Sequence, residues 1–329
     1  MRRWMKGALC LGAMTTLCVV AAPDRPSAAL PAELAWAYPM APPRTKALMT
    51  PPGVHVTPDG KRKLTAVQVE ALSPADQDWF PESHPRPPEV ILHASKTGAA
   101  PCAECHLVNG QGEVGIPDLA GLQADYLMEQ LHAFQAGTRT SAQVGRVATA
   151  AMIDVAQGWS EPELKAAAAY FAALPRHAAL RLVVADDAPV MHVERFGWTY
   201  ADGSGGRRAL NGAVAETPES VARVFIADPA NVEVVYASPS TLATGEALVR
   251  SGGGGGAQPC TVCHGADLRG TPVAPALAGR DPGYLARQLW DIRSGTRTGP
   301  GVAAMQGPAW GLSPREMTAV AAYLASQSR

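Results

Sequence analysis

Residues 102–140 occur twice in this chain: laid without a gap over residues 260–298, they match at 16 of 39 positions. Within them "PDLAGLQADYLMEQLHAFQAGTRT" lies over "PALAGRDPGYLARQLWDIRSGTRT". The second copy then runs five residues shorter, and "AAMIDVAQGWSEPELKAAAAYFAAL" aligns with "AAMQGPAWGLSPREMTAVAAYLASQ". A repeat of this length uses one fold twice. The 329 residues therefore hold two homologous modules, and the stretches before and between them need a separate account.

Both modules read as helical. In the first, Leu127, Leu131 and Phe134 are spaced for one face of a helix over residues 125–137, with Gly137 as its natural stop. Asp281, Pro282 and Gly295 bracket the counterpart. The closing helices each open on a capping box, Ser160 with Glu163 and Ser313 with Glu316, followed by alanine-rich runs. Between the modules, "LRLVVADDAPVMHVERFGWTY" and "VFIADPANVEVVYASP" are β-branched and turn-punctuated, which predicts short strands or extended coil. Ahead of the first module, many prolines and the stretch "DWFPESHPRPP" predict an extended, wrapping segment. The expected organisation is a leader over residues 1–29, a Pro-rich extended segment over 30–88, one module over 89–177, a linker with short strands over 178–238 and a second module over 239–329.

The start, "MRRWMKGALCLGAMTTLCVVAA", sets Arg2, Arg3 and Lys6 before an apolar run of about 16 residues, the anatomy of a secretory signal peptide. That run is short for a membrane span, and small residues around Ala29 offer a cleavage site, so no transmembrane anchor is expected after processing. Export leaves four of the six cysteines, Cys102, Cys105, Cys260 and Cys263, in an oxidising compartment where unprotected pairs three apart would oxidise. A formal net charge of −1 gives no basic signature of a nucleic-acid binder. Charge is nevertheless uneven: residues 101–177 carry 4 Lys and Arg against 8 Asp and Glu, and residues 244–329 carry 8 against 5. Ordinary solvated surface and two differently charged docking faces are both open readings.

Each cysteine pair is followed at once by a histidine, in "CAECH" and "CTVCH". A closed zinc site needs four protein ligands, and neither copy supplies a second ligand pair nearby. A redox disulfide calls for a βαβ setting and gives no reason for His106 or His264. Cys-x-x-Cys-His is the attachment pattern of c-type haem: two thioethers one helical turn apart, with the next imidazole aimed at the iron. Two such sites in homologous contexts predict two covalently bound haem c groups on Cys102, Cys105, Cys260 and Cys263, with His106 and His264 as iron ligands. Met152 and Met305 fall at one aligned position, eight residues before the capping serines, and are the candidate ligands for the opposite side of each iron. Pro117 and Pro275 stand 11 residues after their histidines. Each offers a carbonyl for the other imidazole N–H, or is simply a turn proline. Arg139 and Arg297, in the repeated "GTRT", are read either as partners of haem propionates or as helix-end caps. Tyr126 and Tyr284 are read as packing residues near the haem edge.

On "CAECH", "PDLAGL", Tyr126, "GTRT", Met152 and "LKAAAAYFAAL", and on "CTVCHG", "PALAGR", Tyr284, "GTRTG", Met305 and "AVAAYLAS", both modules resemble class I cytochrome c domains. The pair resembles the tandem dihaem cytochromes c of bacterial periplasms. The resemblance covers about half the chain, and the 60-residue middle departs from compact tandem carriers. It implies a mainly α fold, two cytochrome c domains joined by an irregular segment with short strands, behind a Pro-rich N-terminal extension. It also implies a periplasmic location and single-electron transfer rather than catalysis. A periplasmic dehydrogenase would be the donor, and an oxidase or another cytochrome the acceptor. Histidine with methionine saturates the iron and leaves no open position for a substrate. The competing readings are an electron-transfer subunit of a periplasmic dehydrogenase, and a dihaem enzyme of peroxidase or thiosulfate dehydrogenase type.

Overall fold

The computed structural model describes residues 29–40, 53–176, 179–193, 197–253 and 255–328. The expected leader lies outside the described residues, apart from Ala29. The first element, a 3-10 helix Ala32–Ala37, packs against the far end of the chain, where Leu34, Ala37 and Tyr38 are buried in the core of the second module. Trp36 Nε1 donates to Thr318 Oγ1 at 3.1 Å, and the Tyr38 hydroxyl donates to Asp291 Oδ1 at 2.8 Å.

Residues 53–92 form the hairpin β1 (Val54–Val56) and β2 (Lys63–Thr65), then α1 (Ala66–Glu70) and α2 (Glu89–Leu92). This part of the extension is therefore less extended than its prolines suggest. Its regular pieces are three to five residues long, too short to carry a periodic signal. In "DWFP", Trp79 is buried with Leu64, Val69 and Ile226, and its Nε1 donates to the Ile226 carbonyl at 2.9 Å. One indole thereby ties the extension to the middle of the chain.

The first module comprises α3 (Ala103–His106), α4 (Ala124–Gln135), α5 (Val147–Gly158) and α6 (Glu161–Ala173). Its core joins Leu127 of α4 to Leu164, Ala167, Ala168 and Phe171 of α6, with Val90 and Ile91 of α2 behind them. Gly137, at φ 67°, takes the left-handed conformation that ends α4, and the Ser160–Glu163 capping box opens α6.

Residues 179–193 and 197–238 form small sheets. β3 (Leu180–Val184), β4 (Asp187–Pro189), β5 (Met191–Val193), β6 (Thr199–Ala201), β7 (Arg207–Ala209) and β8 (Ala215–Pro218) precede α7 (Val221–Phe225) and β9 (Glu233–Ala237). β9 is the central strand of a three-stranded sheet, parallel to β3 and antiparallel to β8, while β4–β7 and β5–β6 are antiparallel pairs. The sheet buries Val214, Val235 and Ala237 together with Ala322 of the last helix, so the middle of the chain packs onto the second module instead of trailing between the two.

The second module contains α8 (Pro239–Ser251), α9 (Thr261–His264), α10 (Pro282–Ser294), α11 (Pro300–Trp310) and α12 (Pro314–Ser326). Leu285, Ala286 and Trp290 of α10 pack on Met317, Val320, Ala321 and Leu324 of α12. Asp281 caps α10, Gly295 ends it at φ 77°, and Ser313 with Glu316 forms the capping box of α12. Among the described residues no helix is long and apolar enough to cross a membrane.

α8 approaches α12 so closely that a Cβ on Gly245 would overlap the Ala319 carbonyl oxygen. Helix propensity alone would make Gly245→Ala stabilising by about 1 kcal/mol. The overlap reverses the sign, and the expected result in denaturant unfolding is a net loss of about 1–2 kcal/mol.

Candidate functional site

α3 and α9 are single helical turns, and their shortness follows from the residue after each histidine. Leu107, at φ 59°, and Gly265, at φ 87°, leave helical geometry at once. Within each turn the His106 N–H reaches the Cys102 carbonyl and the His264 N–H reaches the Cys260 carbonyl, both at 3.0 Å. The two sulfurs of each pair therefore lie one turn apart on one side, with the imidazole next along. Cys102, Cys105, Cys260 and Cys263 form no disulfide. Burial pushes Cys102 up to about 12 and Cys260 up to about 11, so both are neutral thiols, unlike the thiolate of a redox-active pair.

The chain then loops back so that a carbonyl meets the imidazole. His106 Nδ1 donates to the Pro117 carbonyl at 3.0 Å, and His264 Nδ1 donates to the Pro275 carbonyl at 2.7 Å. The loops are closed in the same way in both copies: Gly112 N–H donates to the His106 carbonyl and Gly270 N–H to the His264 carbonyl, each at 2.9 Å. Both glycines have positive φ, 80° and 92°. A Cβ on Gly112 would stand 2.5 Å from the Ile116 carbonyl oxygen, and one on Gly270 would stand 2.8 Å from Ala276 N. Only glycine lets this loop return to its histidine. Neither residue is singled out by the motif, although the repeat carries the signal, since the two are identical at aligned positions.

A neutral imidazole that donates through Nδ1 presents a lone pair at Nε2. Burial pushes His106 down to about 4 and lowers His264 as well, which holds both rings neutral. The Nε2 atom of His264 is buried without a hydrogen-bond partner. A buried, oriented and orphaned imidazole nitrogen beside two neutral thiols is the donor set that a covalently attached haem iron takes on one side, so the residues present fit that group. Among the described residues, no group of three His, Cys, Asp or Glu ligand atoms forms around either cysteine pair, as a zinc site would require.

Met152 is the sixth residue of α5 and Met305 the sixth of α11, and both are half-buried. Met305 packs against Ile292, Val302 and Ala309. The structure thus groups cysteines, histidine and proline in each copy and sets the methionine on a later helix.

The repeated "GTRT" segments lie where the modules meet and pair with each other. Arg139 and Arg297 form an antiparallel bridge, flanked by Thr140 N–H to the Thr296 carbonyl and Thr298 N–H to the Thr138 carbonyl, both at 2.7 Å. The side chains repeat the exchange. Arg139 donates to Gln130 Oε1 of its own module at 3.0 Å, and to the Tyr284 hydroxyl and Gln288 Oε1 of the other, both at 3.1 Å. Arg297 donates to Gln288 Oε1 at 2.9 Å, to Gln130 Oε1 at 2.8 Å and to the Tyr126 hydroxyl at 3.3 Å. The helix-capping alternative for these arginines is therefore incorrect, because glycines end both helices and the guanidiniums reach across the interface. Tyr126 and Tyr284 act in the same place, through their hydroxyls. Gln130 and Gln288 were missed by sequence reasoning, though they too are identical at aligned positions.

Both arginines are buried, 8% and 7% exposed, and the charge of the Asp291 carboxylate acts on both. Burial raises the Tyr284 phenol, but the Arg139 and Arg297 guanidiniums overcome it and pull the group down to about 8. The interface therefore concentrates positive charge. Removing Arg139 or Arg297 as alanine leaves a buried glutamine and tyrosine short of a donor, and is expected to cost about 2 kcal/mol. In differential scanning calorimetry the expected sign is a lower melting temperature with the two modules beginning to unfold separately.

A family model for cytochrome c matches residues 95–175 and 256–328. The chain is similar to cytochrome c4 of Pseudomonas aeruginosa, 27% identical over 236 residues, which is 70% of this chain and 86% of that protein. It is similar to cytochrome c-554(548) of Halomonas halodenitrificans, 39% identical over 69 residues, 21% of this chain and 83% of that protein. It is also 51% identical over 76 residues to a thiosulfate dehydrogenase electron acceptor of Stutzerimonas stutzeri, a match covering 21% of this chain and 34% of that one.

Proposed function

The chain belongs to the cytochrome c family, and from that premise we propose that it is a periplasmic electron carrier with two covalent haem c groups, one per module. The observation that carries the reading is the recurrence of one arrangement, Cys-x-x-Cys-His with the imidazole Nδ1 bonded to a proline carbonyl, at His106–Pro117 and His264–Pro275. When bound between histidine and methionine, a haem iron supplies a one-electron couple of raised potential with no position open to substrate.

The chain's own residues do the rest. Cys102, Cys105, Cys260 and Cys263 would supply the thioether sulfurs, and His106 and His264, oriented by the Pro117 and Pro275 carbonyls, would offer Nε2 to the iron. Met152 and Met305 are the proposed ligands opposite, supported by their matched places in the repeat and in the helices that carry them. Arg139 and Arg297, buried at the contact between the modules, would supply positive charge suited to haem carboxylates. They also hold the modules in one relative orientation, which a carrier needs if an electron entering one module is to leave from the other. The acidic first module and basic second module would steer different redox partners, a dehydrogenase as donor and an oxidase or another cytochrome as acceptor. The likeness to a thiosulfate dehydrogenase electron acceptor supports a narrower second reading, in which the donor oxidises an inorganic sulfur compound.

The two methionines give a direct test. The weak far-red absorption of methionine-ligated ferric haem should fall by about half in Met152→Ala and again by about half in Met305→Ala, each with one haem turning high-spin. A band of unchanged strength in either variant removes that methionine from the assignment.

A further inference from the structure

One buried guanidinium touches both of the loops that return to the histidines. Arg280 is 4% exposed. Its Nε donates to the Ala276 carbonyl at 2.8 Å, and its Nη1 donates to the Asp118 carbonyl of the first module at 2.5 Å. The two carbonyls are equivalent: Ala276 follows Pro275, Asp118 follows Pro117, and both residues stand at one aligned position of the repeat. Those prolines in turn accept from His264 and His106. A single side chain therefore holds the backbone beside both imidazole acceptors.

The differences between the copies explain why one arginine does this for two loops. The residue aligned with Arg280 is Leu122, which has no side-chain donor. In the second copy Arg280 reaches back four residues to its own loop, and Leu122 cannot do the same for Asp118. That carbonyl is held across the contact instead. The guanidinium is drawn there by charge, since Asp118 Oδ2 lies 3.9 Å from Arg280 Nη1 with both side chains buried. Asp118 Oδ1 accepts from Ala120 N–H at 2.8 Å, which fixes the carboxylate to the first loop. Other cross-module donors act on one loop each: Arg287 reaches the Gly115 carbonyl at 3.2 Å, and Arg176 the Ala278 carbonyl at 2.9 Å. Arg139 and Arg297 donate to helix side chains, not to loop backbone. Holding two carbonyls in fixed directions at once needs the planar fork of a guanidinium, and the point charge of a lysine does not supply it.

We propose that Arg280 is a positioning residue for both histidines: by holding the residues after Pro117 and Pro275 it fixes the carbonyls that orient His106 and His264, one across the contact and one in its own module. The inference rests on the reading of both histidines as iron ligands. Its consequence is that one group sets two centres alike, although their modules differ at the positions of Asp118 and Arg280.

The test uses the full mature chain with both haems, reduced and low-spin, so that the imidazole N–H protons can be followed by NMR. Arg280→Leu copies the residue of the first module, and Arg280→Lys keeps a donor without the fork. In both variants the Nδ1–H protons of His106 and His264 should exchange with solvent about tenfold faster than in the parent chain, measured against the backbone amides of α6 and α12 in the same samples. Faster exchange at His264 alone confines Arg280 to its own loop and overturns the proposal. Acceleration shared equally by ring protons and helix amides, the mark of a merely stabilising contact, overturns it too, as does no change in either variant. A parent chain without two low-spin haems in its visible spectrum would instead overturn the haem reading on which the proposal rests.

Discussion

Two buried guanidiniums facing each other across a pseudo-twofold contact are the constraint from which this architecture follows. Like charges in a low-dielectric interface repel, so Arg139 and Arg297 are tolerable only because each is surrounded by acceptors drawn from both modules. Gln130 and Gln288 each serve both arginines, and the tyrosine of one module meets the arginine of the other. The backbone pairing of the two "GTRT" segments fixes the register of that exchange. Since the same segment ends the helix after each Cys-x-x-Cys-His loop, the contact that joins the modules also fixes where the two loops stand relative to each other.

The Cys-x-x-Cys-His loops rest on a different constraint. Each needs an imidazole held neutral and oriented, and burial with one carbonyl acceptor achieves both. The eleven-residue return from histidine to proline closes only through a glycine of positive φ, Gly112 or Gly270. The remainder of the fold reinforces this core without entering it. The 3-10 helix at the N-terminus fills the second module, Trp79 anchors the extension to the middle segment, and the three-stranded sheet leans on α12.

Much of this was legible in the sequence because it is written twice. The repeat exposed the two modules, the paired Cys-x-x-Cys-His motifs, the matched methionine positions and the capping boxes, all of which depend on local spacing. Arg139, Arg297, Tyr126 and Tyr284 were visible as repeated residues, but their task was not, because a contact between the copies leaves no periodic trace in either one. Gln130 and Gln288 were hidden for the same reason. The parallel pairing of β3 with β9 joins residues more than fifty positions apart, and the strands are too short for alternation to announce it.

The proposed carrier function requires two alike, saturated one-electron centres in one chain. Its most direct test is a spectroelectrochemical titration of the intact mature protein, counting electrons while following the visible bands, with and without thiosulfate and hydrogen peroxide. Two electrons taken up per chain in one-electron steps, low-spin throughout and unaffected by either compound, is the predicted result. A high-spin component, or one centre that reacts with thiosulfate or peroxide, would mean an open iron and would contradict the carrier assignment.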